Sequence, residues 1–207
     1  MKFINKYQHL FIALVFTALL LGARIAYTGR LSFAFISWNL FLAVVPLYFS
    51  YLLQEAKGKL AWIYATAWLL FFPNTMYIVT DLFHLRDREV IPVWYDLIIL
   101  FSAAVNGIIA GFASLHNVER WLKNKVALKR SHLLILPLML LCGYGIYLGR
   151  YERWNSWDIL ANPFSLFSSI YGHIRHPFRY KECWMLTAIF GAWMSLLYSY
   201  TRKLKHG

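Results

Sequence analysis

The sequence predicts an all-α, polytopic membrane protein. It forms a single transmembrane domain over residues 1–207, with six transmembrane helices plus one interfacial or re-entrant helix near residues 159–174. Three observations predict this. Of 207 residues, 60% are hydrophobic and 14% charged, against about 45–50% and about 25% in soluble domains. Mean hydropathy is +0.50. The charges sit in short clusters between six stretches of 17–24 residues that contain no Asp, Glu, Lys or Arg. A helix rising about 1.5 Å per residue needs about 20 residues to cross a roughly 30 Å hydrocarbon core, and each stretch fits. The same figures exclude a disordered chain. The alternation expected of a β-barrel is absent, and Cys142 and Cys183 lie within apolar runs, unlike the cysteines of a disulfide scaffold.

The elements follow in order. The first span, about 7–26, follows Lys2 and Lys6 as a signal peptide would. No small-x-small cleavage site precedes Arg24, so a retained helix is expected. The next spans, about 31–54 and 60–80, are separated by Glu55, Lys57 and Lys59. Asp96 enters the fourth span, about 94–118, which carries no further charge until Glu119. The fifth, about 131–149, runs to Arg150, and the sixth occupies 183–201. The uncharged run 159–174 holds Asn162-Pro163, three serines and a glycine, which suits a helix at the interface better than one crossing it.

Charge sets the expected orientation. The chain has 21 Lys and Arg against 9 Asp and Glu, a net charge of +12. Its clustered layout argues against a nucleic-acid partner and for the lipid bilayer. With both termini inside, the cytoplasmic segments hold 12 of the Lys and Arg with 2 acids, and the other side holds 9 with 7 acids. The short loops with Lys57 and Lys59 and with Arg120, Lys123, Lys125, Lys129 and Arg130 make the positive-inside bias. Aromatic side chains support these boundaries: Trp94, Tyr95, Tyr151, Trp154 and Trp157 at the outer interface, and Tyr7, Tyr51, Trp62 and Trp121 at the inner one.

Polar residues within the spans nominate a site. Asn74, Tyr77, Asp81 and His84 are spaced three, four and three, which on an α-helix places them on one stripe. Pro73 removes a backbone donor one turn away. Structural alternatives are a helix–helix hydrogen bond for Asn74 and a loop cap for Asp81. In the fourth span Asp96, Ala103, Asn106, Gly107, Ala110 and Ser114 share a small, polar face suited to close packing, so Asp96 is expected to point into the bundle. Stabilisation of the helix dipole is its structural alternative. After the fifth span, with Gly145 and Gly149 as further close-packing positions, Arg150 and Arg153 supply forks for carboxylate or phosphate. Asn155 follows, and Asp158 begins the next helix as a candidate cap. Asp81-x-x-His84 and His173-x-x-His176 carry the donor types of an open zinc site, with basic residues meeting lipid headgroups as the alternative. Metal content stays open and no cofactor is indicated.

The block Phe-Pro-Asn-Thr-Met-Tyr-Ile-Val-Thr-Asp-Leu-Phe-His-Leu at 72–85, Tyr-Asp at 95–96, Gly-Arg-Tyr-Glu-Arg-Trp-Asn-Ser-Trp-Asp at 149–158 and Trp38-Asn39 to Pro46 resemble a family of small bacterial integral membrane proteins, domain of unknown function 1361. The resemblance spans about residues 30–165. It implies a bacterial, multi-pass protein of the cytoplasmic (inner) membrane with motif positions Asn74, Tyr77, Asp81, His84, Asp96, Arg150, Arg153, Asn155 and Asp158. It carries no activity over, and His173 and His176 lie outside its motifs.

The reading that follows is an outward-facing enzyme acting on an envelope lipid or lipid-linked group. Asp81 or Asp96 would be general base or metal ligand, and His84 a proton shuttle. Asn74, Tyr77, Asn155 and Asp158 would contact substrate, while Arg150 and Arg153 clamp an anionic headgroup. The alternatives are a scaffold that docks a membrane-protein partner through the Trp-rich segment 153–158, and a transporter. The latter is disfavoured because the inner halves of the spans lack ionisable residues.

Overall fold

The computed structural model describes residues 2–86, 90–126 and 131–204; Lys129 and Arg130 of the expected inner cluster lie outside the described residues. The protein is all-helical, with 85% of residues in helices and no strand among those described. Its contacts divide it into two compact units, Met1–Trp121 and Leu122–Gly207.

The first unit holds α1 (Lys2–Lys6), α2 (Gln8–Thr28), α3 (Phe35–Leu53), α4 (Gly58–Tyr77) and most of α5 (Val93–Lys125). Helix α2 runs antiparallel to α5. Arg24 meets Asp96 at one end, Thr17 meets Ser102 and Asn106 in the middle, and Leu10 clusters with Ala110 towards the other. Helix α4 is also antiparallel to α5: Trp68 Nε1 donates to Ser114 Oγ at 3.1 Å and Thr75 faces Gly111. The core is apolar, built on Leu21, Phe33, Ile36, Leu40, Ile78, Ile99, Leu100 and Ala103. Small residues permit this packing. A Cβ on Gly107 would lie 2.6 Å from the Thr75 carbonyl oxygen, and one on Gly111 2.6 Å from Thr75 Oγ1. The fourth-span face is fully inward, with Asp96, Ala103, Asn106, Gly107, Ala110 and Ser114 all buried.

The second unit pairs α6 (Ile135–Tyr151) with α9 (Lys181–Leu204), with α7 (Asp158–Ala161) and α8 (Pro163–Arg175) between them in sequence. Close approach in α6 occurs at Gly143, where a Cβ would lie 2.9 Å from the Thr187 carbonyl oxygen. Gly191 of α9 lies equally tight against Met139 and Leu140, whereas Gly145 and Gly149 are half-buried. The break between α7 and α8 falls at Asn162-Pro163, since proline fits the first helical turn but disfavours a helical residue before it. Cys142 and Cys183 are both buried and free.

Helices α2, α3 and α5, of 21, 19 and 33 residues, are long and apolar enough to cross a membrane. They leave Ile12, Leu19, Phe41, Phe101 and Ile109 exposed, as bilayer contact requires. Helices α4, α6 and α9 occupy the other three predicted stretches. Helix α6 has 17 residues, about 26 Å at the α-helical rise. Tyr, Trp and Gly dilute the apolarity of α4 and α9.

The third predicted span differs most. The α-helix ends at Tyr77, and Ile78–His84 forms a 3₁₀ segment. Side chains compete with the backbone ladder here. Asn74 Nδ2 donates to Phe71 O at 3.0 Å, Thr75 Oγ1 to Phe72 O at 2.8 Å, and Thr80 Oγ1 to Tyr77 O at 2.7 Å. Pro73 withholds one donor, and Ile78-Val79-Thr80 is a β-branched run. The α-helical stripe expected through Asn74, Tyr77, Asp81 and His84 therefore stops at Tyr77, and a three-residue repeat aligns Ile78, Asp81 and His84 beyond it.

Candidate functional site

In the first unit, burial decides what each acid does. Asp96 is 1% exposed and Arg24 3%. The guanidinium takes the carboxylate two-handed, Nε to Oδ1 at 2.6 Å and Nη2 to Oδ2 at 3.1 Å. Arg24 Cζ also lies 4.2 Å from the centroid of the Phe33 ring. Asp96 also suits its own helix, since it lies in the first turn of α5. Asp96 is thus paired with a side chain 72 residues away in sequence.

Asp81 is also 1% exposed, and Asn39 Nδ2 of α3 donates to its Oδ2 at 2.7 Å. His84 is half-buried, its ring 4.8 Å from that of Phe35. Its Nδ1 stands 3.2 Å from the Asp81 carbonyl oxygen. A carbonyl only accepts, so Nδ1 carries the proton and Nε2 is the basic nitrogen of the neutral ring. Asn74 and Tyr77 are half-buried on the last turn of α4. Asp81 and His84 thus adjoin one another, while Asp96 is engaged by Arg24.

In the second unit, Arg150 is half-buried in the last turn of α6, and Arg153 and Asn155 are exposed. Arg153 adopts a left-handed φ of 62°, which folds the chain back so that Trp154 N–H donates to Leu148 O at 3.0 Å. Asp158 does not cap α7. That position belongs to Trp157, and the Asp158 carboxylate instead accepts from the Asn155 N–H at 2.6 Å, closing the loop before the helix.

Sequence reasoning missed one cluster. His173 of α8 is 1% exposed. Its Nε2 meets Glu152 Oε1 at 2.6 Å, and its Nδ1 meets the Tyr144 hydroxyl at 2.8 Å. Trp154 Nε1 donates to the other Glu152 oxygen at 3.0 Å. The partners are 21 and 29 residues from His173, so no local spacing marks them. The one signal in the sequence is His173 itself, 21 residues beyond Glu152. His176, its expected partner in a zinc site, is exposed beyond α8. Among the described residues, no group of three His, Cys, Asp or Glu side chains is arranged to hold a metal ion.

Apolar helices with exposed hydrophobic surface and buried polar pairs define a helical membrane protein. A family model described as "Protein of unknown function (DUF1361)" matches residues 38–197, so the chain belongs to that family. No curated protein and no solved structure matches it.

Proposed function

We propose that this is a six-span protein of the bacterial cytoplasmic membrane, with both termini inside, that acts at the outer surface on an envelope lipid or lipid-linked group. One observation carries the reading: a buried carboxylate, Asp81, one 3₁₀ turn before His84, whose ring bonds the Asp81 main-chain carbonyl, on a segment that interrupts α-helical geometry at the end of a predicted span. Irregular backbone at membrane depth is tolerated only inside protein or against a water-filled cavity. Asp81 is the general base and His84 the proton shuttle through Nε2, while Asn39 orients the carboxylate. Asn74 and Tyr77 are the adjacent substrate contacts. Asp96, held by Arg24, serves as a positioning group.

The test is the envelope lipid profile of cells carrying Asp81→Asn or His84→Ala in place of the native chain. Both variants are expected to accumulate an unmodified lipid species, with protein abundance followed alongside to separate lost chemistry from lost folding. Unchanged lipids and growth in both would sink the reading.

A second reading rests on the exposed Arg153, Asn155 and Trp157 of the 153–158 segment, which suit docking of a membrane-protein partner. It predicts a stoichiometric partner released by Trp157→Ala with no change in lipids.

A further inference from the structure

We propose that Tyr144, His173 and Glu152 form a second chemical centre, in which the phenol of Tyr144 is a nucleophile towards a phosphoryl group carried by a lipid. Only the substrate class rests on the lipid reading above; the relay itself stands on the geometry of the second unit.

Glu152 Oε1 lies 2.6 Å from Nε2, and with the carboxylate accepting, Nε2 carries the ring proton. Nδ1 is then the basic nitrogen, and the Tyr144 hydroxyl donates to it at 2.8 Å. This is the order of a nucleophile, a base and the group that orients the base. Trp154 Nε1 fixes the second Glu152 oxygen at 3.0 Å. The Tyr180 ring lies 4.5 Å from the imidazole, and Trp184 stacks on Tyr144 at 5.9 Å, so the rings are held from several sides. Tyr144 is half-buried.

In the reaction, Tyr144 Oη attacks phosphorus as its proton passes to His173 Nδ1. The bond from phosphorus to the leaving alkoxide breaks, and that oxygen takes the proton from Nδ1. Glu152 stays ionised and stabilises the imidazolium in between.

The test uses an aryl sulfonyl fluoride on the purified full-length protein in detergent. In this step the Oη–S bond forms, fluoride leaves, and His173 takes the proton. Peptide mass spectrometry follows each tyrosine. Tyr144 is expected to label at least about tenfold faster than Tyr147 on the same helix, and His173→Gln and Glu152→Gln to remove that advantage. Labelling of Tyr144 within about twofold of Tyr147 in the unmodified protein overturns the proposal without any variant. Altered lipids in Asp81→Asn alongside an unreactive Tyr144 would leave the first reading standing and remove this one.

Discussion

Breaking the Arg24–Asp96 pair from one side is expected to cost far more than removing it whole. Both groups are buried, joined by hydrogen bonds of 2.6 and 3.1 Å, with the cation over Phe33. Asp96→Leu leaves a buried guanidinium without its counter-charge, a loss of about 3–5 kcal/mol. In a chain of 207 residues that is about 6–20 °C of melting temperature, at about 2–4 °C per kcal/mol. Arg24→Met combined with Asp96→Leu exchanges the pair for apolar side chains of similar volume and should stay within about 1 kcal/mol of the unmodified protein. Exchanging the two, Arg24→Asp with Asp96→Arg, keeps the attraction but sets a cation in the first turn of α5 against its dipole, worth about 0.3–1 kcal/mol. It should melt between the single and double variants. The assay is thermal unfolding of the purified protein in detergent, followed by circular dichroism. A double variant that loses as much as the two singles together would refute the reasoning, because the charges would then act independently.

Three further outcomes are measured the same way. Gly107→Ala drives a Cβ to 2.6 Å from the Thr75 carbonyl and should cost about 1–3 kcal/mol, whereas Gly22→Ala, with nothing within 4 Å, should be neutral or gain up to about 1 kcal/mol; equal effects would contradict the α4–α5 contact. Arg153→Gly relieves the left-handed backbone and should raise stability by about 1 kcal/mol, and a fall would mean that the side chain contributes more than its conformation costs. Asn39→Leu removes the donor to Asp81 and should cost about 1–3 kcal/mol. Asn39→Asp should cost more, since it sets two carboxylates together; parity between them would rule out an ionised Asp81.

What the sequence made legible follows from what its patterns encode. A run without charge encodes an apolar helix: helices occupy all six stretches, and three of them are long and apolar enough to cross a membrane. The inward face of α5 was also legible, because small residues at helical spacing have one use among packed helices. The 3₁₀ turn after Tyr77 was not, since it depends on three side chains that capture carbonyls rather than on any period. Partners were less legible still. Arg24, Asn39 and Tyr144 become neighbours of Asp96, Asp81 and His173 only once helices far apart in sequence have packed.

This bears on which residues can report function cleanly. Three acids of the expected outer side, Asp81, Asp96 and Glu152, are each held by a residue of another helix. Substituting any of them perturbs helix packing as well as chemistry. Arg153 and Asn155 are exposed and lie on a loop whose backbone closure is made by main-chain groups and Asp158. Arg153→Gly combines a gain in backbone stability with loss of the cation. If that variant folds better and yet fails in the cell, the defect belongs to what the guanidinium binds, and instability is excluded as its cause.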